Sequence, residues 1–365
     1  MNDPSINNFS KQLIMDLLKR IFLFVISVFV LVSCKEYAFT DENVAHVSFE
    51  DFKKTETIKE TNHGHPSSMI LPLAMEINGD YLIVNDYEND SCLLHIFSLP
   101  EVNYLGAFGS CGRGNDELIG VWRIKACKNS VYAYDLTSNK MLKYALDGLA
   151  KDSVSHEYFF DKGNILPRLL DFEFLGNNTI VGYTRNSDSI LTYINIKEKK
   201  VFTEKGPYPL KFRKGFPKNV LNTLFRTSYD VNDDRIVATG FRTNFLQIFT
   251  RKGDLIKALY FPELDIPDFV VSPEGKYYCE KRKRTYLDVL ASENCFYVLY
   301  SGSSNMQEYW SKEIFQFDMN GNPHKRYILD NNVAQFEYSS KHDLFYGISV
   351  NEETGVSDVI SFKLE

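Results

Sequence analysis

Short runs of alternating apolar residues recur through this chain in sets, and the sets repeat at intervals of 47 to 63 residues. Successive side chains of a strand point to opposite faces, so a short run rich in Val, Ile, Tyr, Phe and Thr between turn residues reads as a strand. Six sets begin near residues 70, 121, 168, 223, 286 and 333. The first holds residues 71–76, 81–85, 93–97 and 104–108. Asn78-Gly79-Asp80 joins its first two runs, and an Asn-Gly pair tolerates the positive φ of a tight hairpin. VWRIKA, SVYAYD, KMLKYAL and residues 157–160 make the second, and LLDFEFLG, TIVGYT, SILTYIN and Val201-Phe202 the third. The fourth is LFRTSYDV, RIVATGF, FLQIFT and LIKALYF; the fifth is TYLDVLA, CFYVLYS, EIFQFD and KRYILD. Only three runs, VAQFEYS, LFYGISV and VISFKL, form the last.

Such intervals fit four-stranded blades with loop insertions. The expected fold is all-β: a six-bladed β-propeller of four-stranded antiparallel blades, the last closed by an N-terminal strand. Residues 46–50 are the candidate for that strand, since closure would remove two exposed sheet edges. A pair of β-sandwiches, an irregular β-solenoid and a seventh blade remain open alternatives at this point.

Ahead of the sets, Lys19 and Arg20 precede the apolar run from Ile21 to Val32. Twelve residues at helical rise span roughly 18 Å, short of the roughly 30 Å hydrocarbon layer, so the run reads as a signal-peptide core. Leu31-Val32-Ser33-Cys34 follows and resembles the lipobox of bacterial lipoproteins, which implies lipidation at Cys34. The expected organisation is a signal peptide over residues 1–33, with Met15 as an alternative start. A lipidated tether and N-terminal strand would then occupy 34–69, and the propeller 70–365. Lys35 after the cysteine, in place of an aspartate, points by similarity to the outer membrane. Two or more acyl chains hold a protein firmly at a membrane.

Loss of residues 1–33 would leave 332 residues and shift the formal charge from −7 to −8. An acidic balance argues against nucleic acid as a partner, because phosphate binding needs concentrated Lys and Arg. With Cys34 lipidated, Cys92, Cys111, Cys127, Cys279 and Cys295 remain, an odd number with no paired zinc spacing. These read as mostly buried thiols. Two Pro-containing insertions, 204–220 and 262–284, interrupt the rhythm between blades, and the second ends in Lys281-Arg282-Lys283-Arg284. Connections of this kind lie at a channel mouth, where loops on a rigid scaffold commonly bind.

The stretch Phe108-Gly109-Ser110-Cys111-Gly112-Arg113-Gly114-Asn115-Asp116-Glu117-Leu118 resembles the TolB-like, six-bladed β-propeller lipoproteins of gut Bacteroides and relatives. Many members carry Gly-Arg-Gly-Pro-Gly-Glu-aromatic here; Gly112, Arg113, Gly114 and Glu117 match, while Asn115, Asp116 and Leu118 depart. IFQFDMNGNPHKRYILD, from Ile314 to Asp330, is similar to the family's late-blade pattern. The resemblance implies a fold and a place, with many members regarded as envelope binding proteins and some linked to carbohydrate or peptide use. On the residues alone, Gly112 and Gly114 allow a tight turn around Arg113. Its guanidinium would reach an acidic partner, Glu117 being the candidate, or face the channel and grip an anion.

No nucleophile elbow, zinc helix, Walker loop or EF-hand loop stands in the sequence. His63-Gly64-His65 is a polar-loop pair or a weak metal site. Asp86, Asp135, Glu173 and Asp230, at comparable blade positions, are candidates for calcium in a central channel. Trp310 is a candidate sugar-stacking residue. Three functions follow. The first is a lipid-anchored envelope propeller that binds or scaffolds a protein, peptide or glycan. The second is a calcium-dependent hydrolase with carboxylates converging in the channel. The third is an accessory subunit of an envelope transport complex.

Overall fold

The second run of each set is its most continuously apolar, and burial explains why. Tyr81–Asp86, Ser130–Asp135, Thr179–Thr184, Arg235–Gly240, Cys295–Tyr300 and Leu344–Val350 are buried through their centres, with a neighbour strand on each side. A strand covered on both faces loses the polar alternation that a half-exposed strand keeps. The outer strand Lys200–Lys205 alternates exposed and partly buried positions instead. The computed structural model describes residues 37–39, 44–87, 92–146, 156–158, 166–184, 187–212, 227–232, 234–261, 268–271, 274, 277–280, 283–305, 308–351 and 354–364. The export segment, Cys34 and Lys281-Arg282 lie outside the described residues.

The architecture is all-β and propeller-like, built of antiparallel sheets that follow the chain in order. Pro72–Asn78, Tyr81–Asp86, Cys92–Ser98 and Asn103–Cys111 form the first sheet, extended by Glu117–Leu118. Arg123–Ala126, Ser130–Asp135, Lys140–Ala145 and His156–Tyr158 form the second. The third is Leu169–Phe174, Thr179–Thr184, Leu191–Asn195 and Lys200–Lys205; the fourth is Thr227–Val231, Arg235–Gly240, Phe245–Thr250 and Leu255–Tyr260. The fifth and sixth sets share the 17-residue strand Pro323–Ser339, which pairs with Ser311–Asp318 and with Leu344–Val350. Asp330-Asn331-Asn332 reads as a turn in sequence, yet the strand runs through it. Asp268–Val271 and Tyr277–Glu280 pair as a separate hairpin within the second insertion. Tyr37–Phe39 pairs antiparallel with Leu210–Phe212 in a small unit of its own.

Apolar cores lie between consecutive sheets. Ile83, Leu94 and Ile96 meet Ile124, Val131 and Leu142; Tyr132, Tyr134 and Met141 meet Phe172, Ile180 and Ile194. Met75, Leu82, Val84 and Phe97 of the first sheet pack with Tyr346, Ile348 and Val359 of the last strands.

One expectation is corrected. The segment near His46 does not join the last strands: Ala45–His46 pairs parallel with Leu259 and Tyr260 on the fourth sheet. From there the chain laces onward. Asp51 Oδ2 accepts the Ser48 N–H (2.7 Å), tying a single helical turn at Phe49–Asp51. That turn directs Phe52 among Phe261, Phe315 and Phe317, at ring separations of 5.0–5.5 Å. Lys54–Ile58 then runs parallel to Lys325–Leu329. It is Thr61–Gly64 that pairs antiparallel with Ser357–Phe362. The stretch that looked like a polar tether is therefore a strap over three consecutive outer strands. Its backbone completes the free edges while its polar side chains face water, so it carries little apolar alternation. Among the described residues no helix is long and apolar enough to cross a membrane.

Candidate functional site

The first strand of each set carries the site. Met75-Glu76-Ile77, Ile124-Lys125-Ala126, Phe172-Glu173-Phe174, Tyr229-Asp230-Val231 and Phe336-Glu337-Tyr338 each place one charge between apolar residues; only Val289-Leu290-Ala291 departs. With a two-residue period, residues on either side of the charge enter the sheet cores while the charge points the other way. These first strands touch one another in succession, and the last touches the first.

Side chains of one strand staple the backbone of the next. The Ala126 N–H donates to Glu76 Oε1 (3.0 Å), Tyr229 N–H to Asp171 Oδ2 (3.3 Å), Ala291 N–H to Asp230 Oδ2 (2.6 Å) and Phe336 N–H to Asp288 Oδ2 (3.2 Å). Met75 N–H donates to Gln335 Oε1 at 2.9 Å, joining positions 260 residues apart. Arg123 Nε donates to Asp171 Oδ1 at 3.0 Å between the second and third sheets. Two levels result: Arg123, Asp171, Asp288 and Gln335 lie two residues before Lys125, Glu173, Leu290 and Glu337 in their respective strands.

Lys125 Nζ contacts Glu173 Oε1 and stands 3.9 Å from Glu76 Oε2. Burial works against its charge, but Glu173, Glu76, Asp171 and Glu337 outweigh burial and hold the ammonium protonated well above its ordinary range. The carboxylates move the other way. Burial pushes Glu76 up to about 7 against the pull of Lys125 and the Ala126 N–H. Burial likewise pushes Asp288 up to about 7, against the Phe336 N–H and the charges of Lys125 and Arg123. Asp230 and Glu337 are also raised by burial, with neighbouring acids adding to it at Glu337. Six carboxylates (Glu76, Asp171, Glu173, Asp230, Asp288 and Glu337) thus surround two cations, Arg123 and Lys125.

Above them opens a cavity of about 70 Å³, lined by Arg123, Lys125, Asp171, Tyr229, Asp288 and Gln335, with Leu73, Leu287 and Ala334 among its walls. The register of four first strands slips at Pro72/Ala74, Leu169/Asp171, Tyr286/Asp288 and Val333/Gln335. A bulge re-aims the extra side chain, which is how Leu73, Leu287 and Ala334 reach the cavity instead of a sheet core. Trp122 Nε1 donates to the bulged Leu170 carbonyl (2.8 Å), binding the second sheet to the third.

The four calcium candidates separate into two kinds. Glu173 and Asp230 belong to the axial cluster, but Asp86 and Asp135 end the second strands of their sheets and hold backbone. Asp86 accepts the N–H of Ile70 (2.8 Å) and Leu71 (2.6 Å) and faces His95 Nε2 (3.2 Å). Asp135 accepts the N–H of Ile119 (2.9 Å) and Thr137 (2.7 Å). These carboxylates do not converge, and among the described residues no group of three or more His, Cys, Asp or Glu is disposed to hold a metal ion. His63 Nε2 bonds with Ser361 Oγ (2.8 Å) and His65 Nδ1 with Asp358 Oδ1 (2.7 Å), so both histidines fasten the strap to the last strand.

At the glycine-arginine motif, Arg113 is exposed, and no ion pair joins it to Glu117 among the described residues. Glu117 Oε2 instead accepts the Gly114 N–H at 2.6 Å and fills the space where a Gly112 Cβ would stand. Lys140 Nζ donates to the Gly114 and Glu117 carbonyls from beneath. Glu117→Ala is expected to cost about 1 kcal/mol and to speed hydrogen exchange at the Gly114 amide at least tenfold. Unchanged exchange at Gly114 would contradict this arrangement. Trp310 is partly buried in the connection before Ser311–Asp318 and does not line the cavity. Cys111, Cys127 and Cys295 are free and partly buried.

The axial charges Glu76, Lys125, Asp171, Asp288 and Glu337 were not singled out from the sequence. The signal was present as the repeated apolar-charge-apolar triplet. The family described as TolB-like 6-blade propeller-like matches residues 48–341. An exported protein of Bacteroides fragilis superposes with a TM-score of 0.57 at 14% identity, over 88% of this chain and 100% of that one. Streptogramin B lyase superposes with a TM-score of 0.50 at 10% identity, over 84% of this chain and 98% of that one. Identities this low carry a likeness of fold alone. No curated protein sequence matches the chain.

Proposed function

Because the chain belongs to the TolB-like six-bladed propeller family, we propose that it is a lipid-anchored binding propeller of the cell envelope, offering its channel mouth to a protein or peptide. The six sets form one ring of four-stranded blades in this reading, with Thr61–Gly64 closing the last. The staple between Gln335 and Met75 and the core shared by the first and last sheets support it. Signal peptide, lipidated Cys34 and outer-membrane residence complete the reading, on the basic-apolar-cysteine order of residues 19–34.

The mouth itself carries the binding assignment. Ile70, Leu73, Tyr87 and Ile119 are exposed apolar side chains at the starts of the first strands or the end of the strand beside them. The Tyr87 ring lies against Gly120, and its N–H donates to the Leu71 carbonyl (3.0 Å), so these positions adjoin. A contiguous apolar patch beside a polar cavity marks an interaction face more often than bare surface does. In membranes, a photo-crosslinker replacing Leu73 should capture a discrete partner, whereas one replacing Phe202 on the outer strand should not. Cys34→Ala should abolish incorporation of labelled fatty acid and membrane retention together. Capture from both positions alike would sink the mouth assignment, and retention of label by Cys34→Ala would sink the anchor.

A further inference from the structure

We propose that the channel mouth takes a cationic side chain, lysine or arginine, of a partner peptide, with its alkyl stem against Leu73, Leu287 and Ala334. This deepens the binding reading above and rests on it. Size comes first. A cavity of about 70 Å³ admits a few water-sized groups and is far below the roughly 300 Å³ where drug-sized ligand pockets begin. An ammonium or guanidinium head fits such a space; a sugar ring does not.

Charge sets the sign of the ligand. Arg123 is committed to Asp171 and Lys125 to Glu173. Asp288 has a backbone N–H and no ion pair among the described residues, and Glu76 Oε2 is buried without a hydrogen bond. An anion entering here would meet Asp288 in the wall and, behind it, Glu76, Glu173 and Glu337 around Lys125, in a poorly solvated space where like charges repel far more strongly than in water. A cation would pair with Asp288, which has no ion pair among the described residues. The raised affinities of these acids for protons express the same deficit, since a proton is the simplest cation the cluster can take.

The walls set the stem. Three bulges turn Leu73, Leu287 and Ala334 toward the opening, which is the surface that the methylenes of lysine or arginine cover while the head reaches polar groups. Around the mouth, exposed Ile70, Tyr87 and Ile119 would meet apolar residues flanking the basic one.

The test is calorimetry on the full chain in detergent at pH 7.5. Its probes are acetyl-Leu-Lys-Leu-amide, the same peptide acetylated on lysine Nζ, and butylammonium. The lysine peptide should bind at least tenfold more tightly than its acetylated form. It should release protons on binding, read from the dependence of the heat on buffer ionisation enthalpy. Butylammonium should bind more weakly than the peptide, since it lacks the flanking contacts; equal affinity would overturn the peptide assignment. Asp288→Asn should weaken the peptide at least tenfold and Leu73→Ser severalfold, with melting curves confirming that each variant folds. The comparison of the two peptides on unaltered protein stands even if a variant does not fold. Equal binding of the acetylated peptide, or no binding of any cation, would overturn the proposal. If crosslinking from Leu73 still captured a partner, only the cation specificity would fall; if that failed too, the binding reading would fall with it.

Discussion

Phe52→Ala should lower the free energy of unfolding by about 3 kcal/mol, with Phe49→Ala costing about 1 kcal/mol or less. Phe52 is 8% exposed and its ring stands 5.5, 5.0 and 5.5 Å from those of Phe261, Phe315 and Phe317. Truncation removes the buried ring and leaves a void between the fourth sheet and the sheet that follows it. Phe49, one turn earlier, is 41% exposed, with the Arg326 guanidinium 4.8 Å above its ring, so less surface returns to water. The consequence extends beyond one side chain. Val47 and Ile58 are also buried, and the strap that carries them is paired in parallel, at Ala45–His46 and Lys54–Ile58, to two outer strands whose edges would otherwise be free. Denaturant titration of both variants with a common m-value is the measurement. Equal losses for Phe49→Ala and Phe52→Ala would mean that the strap does not dock through Phe52.

How much of this was legible follows from what each element is buried by. The strands of the six sets could be read because each has an apolar face or is covered on both, and burial writes itself into residue type. Tyr81–Asp86 and Ser130–Asp135 show it most plainly. The strap was not legible in the same way. Ala45–His46 is a two-residue parallel contact, and Thr61–Gly64 has no buried residue, so backbone pairing supplies what side chains do not. Sequence alternation records side-chain burial and is silent on edge pairing. The shared strand Pro323–Ser339 was split in reading because Asp330-Asn331-Asn332 has turn chemistry, which the ladders on both sides override. Asp86 and Asp135 share residue type and approximate blade position with Glu173 and Asp230, although only the latter pair lies within first strands, while the former end second strands. Aligning first strands on their central charge would have recovered Glu76, Lys125 and Glu337 together.

That central charge makes stability depend on pH in a definite direction. Burial raises Asp288 from an ordinary value of 3.8 to about 7, so between those limits the folded chain keeps a proton that the unfolded chain has released. Stability tied to that proton is fully present below pH 4 and is lost as pH rises through about 7. A shift of this size is worth on the order of 2–4 kcal/mol for a side chain that water still touches. Asp288→Asn removes the titration while an amide oxygen can still accept the Phe336 N–H. At pH 8 the variant should therefore be more stable than the parent by about 2 kcal/mol, and near pH 4 the difference should vanish. Part of the slope should survive in the variant, because Glu76, Asp230 and Glu337 are raised by burial too and face the same Lys125. Lys125→Met should act oppositely, costing most at high pH, where the carboxylates around it are ionised and lose a cation they share. Unfolding free energies from pH 4 to 8 for the parent and both variants decide the matter: an Asp288→Asn difference that is constant across the range would show that this carboxyl is ionised throughout and that the cluster is solvated.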